Sequence, residues 1–145
     1  MDQLDKHTPH VLGLFRIVVA LLFVCHGIST LFGVLAAPHG GGAPAFGQWP
    51  GWWAALIQLV GGILVLAGFG TRTAAMVCSG SMAFAYFTEH QPHELLPIQN
   101  GGEPAVMFCW AFLLIMCLGP GSFALSSAVE RLRGQAAVPA PAVRG

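Results

Sequence analysis

Residues 11–37 carry a single formal charge, Arg16, in a run that is otherwise apolar or small. Three charge-free runs follow, over residues 52–70, 73–87 and 104–118. A helix crossing a hydrocarbon core of roughly 30 Å needs about 20 mostly apolar residues. The first two runs meet that length. The last two meet it when Arg72, Thr88, Asn100 and Gly101 are counted at their ends. The pattern predicts an all-α membrane protein: a four-transmembrane-helix antiparallel bundle with spans at about 11–37, 52–70, 72–88 and 102–119. Composition agrees, with 8 % charged residues in a 145-residue chain, against about 25 % in soluble domains. A net charge of zero without a basic run excludes a nucleic-acid partner.

A cleaved secretory signal is the rival reading of the first run, because VLAAP resembles a small-residue cleavage site. The run is far longer than the roughly 7–15 residues of a signal core, and residues 1–10 are net acidic. It is therefore read as a mature transmembrane helix following a cytoplasmic leader.

Orientation follows from Lys and Arg. Lys6 and Arg16 lie at the start of the first span, Arg72 in the turn between the second and third, and Arg131, Arg133 and Arg144 after the fourth. Residues 38–51 and 88–102 contain neither Lys nor Arg. Both termini are thus expected in the cytoplasm, with Trp49, Trp52 and Trp53 anchoring the second span at the opposite interface. Short connections make successive helices antiparallel neighbours. Pro104 suits the first turn of the fourth helix, and Gly119-Pro120-Gly121 ends it. Residues 126–132 then read as a short interfacial helix before a flexible cytoplasmic tail. The membrane domain is expected over residues 11–125.

Polar groups at membrane depth are costly and mark cavities or bundle interiors. His26 on the first helix, Gln58 on the second, Glu89 and His90 ending the third, and Asn100 and Glu103 opening the fourth all fall in the outer half of the bundle. A histidine and a carboxylate in a low-dielectric pocket can exchange protons, and they can hydrogen-bond the carbonyls of a quinone. His26 and Glu103 are the catalytic candidates; His26, Gln58, His90, Asn100 and Glu103 form the candidate ligand pocket. The blander readings are interhelical hydrogen bonds for His26 and Gln58, and a helix N-terminus for Glu103. Arg16 is expected to snorkel to lipid phosphates. EHQPHE, over residues 89–94, is read as an exposed polar loop rather than a metal site, since Pro92 breaks the i, i+4 geometry. Cys25, Cys78, Cys109 and Cys117 all lie in apolar spans without a C-x-x-C pair. Gly61-Gly62 and Ser79, Gly80 and Ala83 are read as close helix packing.

Five blocks in order (HGISTLFG, PGWWAALIQLVGGILVLAGFGTRTAA, AYFTEHQP, NGGEPAV and GPGSFAL, within residues 12–125) resemble the DoxX family of small four-helix bacterial inner-membrane proteins. The resemblance implies a redox or stress-related membrane role, because relatives include a quinone-linked thiosulfate oxidoreductase subunit and membrane partners of detoxifying enzymes. It points to His26-Gly27, His90 and the Asn100-Gly101-Gly102-Glu103 stretch. Where the family often has a Lys after His-Gly, this chain has Ser29-Thr30; where it commonly has Glu in the second helix, this chain has Gln58. Losing those charges removes a proton carrier and leaves a neutral hydrogen-bonding pair.

The function expected is a DoxX-like integral subunit of a quinone-linked redox complex in the bacterial cytoplasmic membrane. It would be an oxidoreductase component rather than a complete enzyme, with the lipid bilayer and other membrane or redox subunits, or further copies of itself, as partners. The alternatives are a non-enzymatic membrane scaffold and a small-solute or proton transporter. Four short helices without broken-helix pairs favour the transporter least.

Overall fold

Two glycines two residues apart make a tight turn between long helices. In the computed structural model, which describes residues 5–35 and 42–136, α1 spans Thr8–Phe32 and α2 spans Gly51–Ala67. The second helix stops at Gly68 (φ 73°), and Gly70 (φ 56°) turns the chain into α3, Thr71–Ala85. Both angles lie in the left-handed region that glycine enters without a Cβ penalty. A π-helical turn over Tyr86–His90 prolongs α3. The short α4 (Pro97–Asn100) precedes α5 (Glu103–Leu118), and α6 covers Leu125–Ala136. The described residues are all helix and loop, without strands. The flexible tail expected after the last helix lies, from residue 137 onward, outside the described residues.

The four long helices pack in the ring α1–α2–α3–α5. Arg16, early in α1, meets Val65 at the end of α2, and Arg72, opening α3, meets Met116 at the end of α5. Neighbours are therefore antiparallel. One end of the bundle carries the α1–α2 and α3–α5 connections and is called the loop end. The other, where α1 begins and α5 stops, is called the terminal end.

The core is small and aromatic. Ala20, Phe23, Val65, Ala75, Cys78, Phe112 and Ile115 are buried together. The Phe23 and Phe112 rings meet edge-on with centroids 4.6 Å apart, a favoured geometry for ring quadrupoles. Small residues let the backbones close in. A Cβ on Gly27 would stand 2.7 Å from the Leu59 nitrogen, and one on Gly62 would stand 2.7 Å from a Val24 methyl, so α1 and α2 meet at both glycines. Gly61 faces the Cys78 sulfur on α3. Gly80, expected among the packing residues, instead faces open space. Its neighbour Ser79 joins α3 to α5, donating to the Cys109 carbonyl at 2.8 Å.

The outward surface is apolar on every long helix: Leu14, Val18 and Leu21 on α1, Val60 and Ile63 on α2, Met76 and Val77 on α3, and Met107, Trp110 and Leu114 on α5 are exposed. Among the described residues α1 alone is clearly long and apolar enough to cross a membrane; α2 and α5 are shorter apolar helices.

Candidate functional site

Arg16 is where the sequence reading and the structure part. The side chain does not reach for lipid: it is completely buried. Its Nε donates to the Pro120 carbonyl at 2.8 Å. Nη1 donates to Val65 and Leu66, each at 2.6 Å, and Nη2 to Phe123 at 3.0 Å and Ser122 at 3.4 Å. The last carbonyls of a helix lack intrahelical partners and carry the negative end of its dipole. Arg16 fills that role for α2 while tying down the chain that leaves α5. Its five-donor planar fork can serve several carbonyls at once. The segment after α5 is pressed on α1 at the same place, where the Ser122 N–H donates to the Pro9 carbonyl at 2.8 Å. Snorkelling is excluded because the guanidinium faces α2 and the 120–123 loop rather than lipid.

Arg72 repeats the device at the surface, donating from Nη1 to Met116 at 2.6 Å and Cys117 at 2.8 Å. The two arginines that mark the terminal end each finish a partner helix.

At the loop end the sequence candidates divide into two groups. His90 and Asn100 come together: His90 Nδ1 donates to the Asn100 carbonyl at 3.1 Å, a carbonyl being able only to accept. Asn100 Nδ2 donates to the Glu94 carbonyl at 2.7 Å, and its Oδ1 accepts from the Gly102 N–H at 2.8 Å. Tyr86 completes this knot, stacking on His90 with its hydroxyl donating to the Leu95 carbonyl at 3.2 Å. Gly102 is buried against the Tyr86 ring, where a Cβ would stand 2.8 Å away. His90 and Asn100 therefore fold the α3–α5 connection. Tyr86 was not singled out in the sequence, although it is the chain's one tyrosine, four residues before His90 on a helix.

The second group is His26 and Glu103. His26 is exposed on the single chain rather than buried, with its ring edge-on to Phe108 at 5.5 Å. Glu103 is exposed in the first turn of α5, where the helix dipole favours a carboxylate. Gln58 stands apart, half-buried on α2, with a buried Oε1 that has no hydrogen-bond partner.

Between α1 and α5 runs a groove of about 410 Å³, lined by Phe15, Val19 and Leu22 on one side and by Pro104, Phe108, Ala111 and Leu114 on the other, with Trp110 at its edge. His26 lies four residues after Leu22 on the same face of α1. Glu103 immediately precedes Pro104. The groove lining is apolar throughout; His26, edge-on to Phe108, and Glu103, beside Pro104 in sequence, adjoin its loop-end residues without lining it. Another groove of similar size, about 450 Å³ between α2 and α3, is lined by Leu56, Val60, Phe69, Thr73 and Val77; its lining, like that of the first, holds no ionisable group. Sequence reading found the two polar residues but not the groove, because Phe108 and Trp110 sit in an unbroken apolar run that shows no rotation about its axis.

Glu89, His93 and Glu94 are exposed. No cluster of three or more His, Cys, Asp or Glu suited to a metal occurs among the described residues.

Comparison with known proteins adds the lineage. A protein of Haemophilus influenzae, itself uncharacterized, is 37 % identical over 130 residues, covering 88 % of this chain and 96 % of that one. No solved structure matches the chain. The DoxX family model matches residues 11–91, the part containing Arg16, His26, Gln58 and His90. The chain belongs to the DoxX family of membrane-associated proteins.

Proposed function

We propose that this DoxX protein is a multi-pass subunit of the bacterial cytoplasmic membrane, working in a redox complex at the level of a prenylated quinone. The observation that carries the reading is the α1–α5 groove, an apolar channel open to the side, with His26 edge-on to its Phe108 and Glu103 next to its Pro104 in sequence. A lipid-soluble quinone has that division of character, with an isoprenoid tail and a head of two hydrogen-bond-accepting carbonyls. The tail lies against Phe15, Val19 and Leu114. The head stands at the mouth, where the His26 imidazole donates to a carbonyl. Glu103 is open to water and exchanges protons with His26. Electrons come from a partner subunit, so the chain is an oxidoreductase component rather than a complete enzyme.

The four-span arrangement is part of this proposal. Its support is the apolar outward surface on all four long helices, which water would wet only at high cost. With the π turn, α3 reaches about 30 Å at 1.5 Å per residue. The Lys and Arg pattern supports both termini in the cytoplasm, which puts the His26–Glu103 mouth in the outer leaflet.

Trp110 at the groove edge supplies the test. Titrating the purified chain with a short-tailed benzoquinone is expected to quench its fluorescence saturably. Trp110→Phe removes most of that quenching, and His26→Ala with Glu103→Gln weakens the midpoint roughly tenfold, the value of a lost charge-assisted hydrogen bond. Linear, unsaturable quenching identical in all three proteins would sink the quinone site.

A further inference from the structure

The twelve-residue helix α6, Leu125–Ala136, packs along none of the other helices. Its first turn is held against the bundle. The Ser126 N–H donates to the Gly68 carbonyl at 3.3 Å, and Ser127 and Ala128 share a cavity with Pro9 and His10 at the start of α1. Beyond that turn Glu130 and Leu132 are exposed, Leu132 by 67 %.

The sequence of α6 is divided by face. At about 100° per residue, Leu125, Ala128, Val129, Leu132 and Ala136 fall in one arc roughly 100° wide. Arg131 and Arg133 occupy the register positions flanking it, while Glu130, Gly134 and Ser127 stand opposite. The helix is too short to cross a bilayer. It begins level with the end of the apolar outer surface, where Leu118, Phe123 and Leu125 are exposed. The turn that aims it, residues 120–123, is the one gripped by the buried Arg16.

We propose that α6 is a membrane-surface helix that binds the anionic headgroups of the cytoplasmic leaflet. The proposal rests on the membrane-spanning reading above and is independent of the quinone site. Three features choose this occupant. The apolar arc continues the lipid-facing surface of α5; the register positions flanking it carry arginine, the residue type that pairs with headgroup phosphates; and the single acid, Glu130, is on the opposite side of the helix. A second copy of this neutral chain would offer the flanking arginines no comparable density of negative charge. Arg16 sets the angle at which α6 leaves the bundle, so that its apolar arc meets the bilayer.

The full chain in nanodiscs gives the test, read by amide hydrogen exchange. Adding phosphatidylglycerol to a phosphatidylcholine bilayer is expected to slow exchange across residues 127–136 by roughly tenfold or more. Arg131→Gln with Arg133→Gln removes most of that lipid dependence and leaves the protection of α1, α2, α3 and α5 unchanged. Leu132→Glu abolishes the protection of α6 in both lipids. Equal exchange with and without phosphatidylglycerol would overturn the proposal. So would protection that rises with the number of chains per disc, since the occupant would then be a second copy. Rapid exchange throughout the four long helices would instead defeat the spanning reading on which the proposal stands.

Discussion

The Arg16 Nη1 atom donates to the Val65 carbonyl at 2.6 Å, so a residue early in α1 finishes the helix that follows it. The same guanidinium reaches Pro120 and Phe123. One cation thus binds the beginning of the chain, its middle and its exit from the last long helix. An uncompensated buried charge is expensive. Here the helix-terminal dipole and the loop carbonyls replace both water and a carboxylate partner.

Arg16→Gln is expected to destabilise the protein by on the order of 3 kcal/mol, because several buried carbonyls lose a charged donor. Lysine rescues little, since a single ammonium cannot span α2 and the 120–123 loop in the manner of a planar fork. Arg72→Gln removes a comparable pair of bonds at an exposed site, where water takes over, and is expected to cost about 1 kcal/mol or less. Unfolding in mixed detergent micelles checks the ranking. Equal losses for the two variants would mean that Arg16 is not the clamp described.

The glycines make a sharper pair. Gly27→Ala forces a methyl against the α2 backbone, and a loss of roughly 1–3 kcal/mol is expected from the resulting separation of helices. Gly80→Ala meets open space in the middle of α3, so it should stabilise by about 0.5–1 kcal/mol through helix propensity. The melting temperatures should move in opposite directions.

Gln58 tests the interior of the bundle. Its buried, unpartnered Oε1 represents an unmet desolvation cost of roughly 1–3 kcal/mol. Gln58→Met keeps the length of the side chain without the amide, so the ligand-free protein should melt at the same temperature or higher. A clear fall would mean that the oxygen is engaged by a molecule retained through purification.

Much of the bundle is legible before any coordinates. The charge-poor runs give the four long helices, and Gly68 and Gly70 make the turn that the sequence places at Arg72, which itself already belongs to the helix that follows. Depth along a helix can be counted, which is why His26 and Glu103 could be placed at one level. Rotation cannot be counted in helices that are apolar all round, and that is where the reading failed. Arg16 was assigned to lipid because its height suited a headgroup, yet its direction is inward. His90 and Asn100, which the sequence groups with His26 by depth, are bonded to each other through the fold of their own connection. The α1–α5 groove is invisible in the sequence for the same reason, since it depends on which sides of two apolar helices face each other.

The most direct measurement uses a photoreactive prenylated quinone carried by the reconstituted protein, with adducts mapped by mass spectrometry. Adducts are expected on residues 15–26 of α1 and 103–114 of α5, with loss of labelling in the His26→Ala, Glu103→Gln double variant. Labelling concentrated on the α2–α3 groove at residues 56–77, or unchanged in that variant, would contradict the assignment of the quinone to the His26–Glu103 mouth.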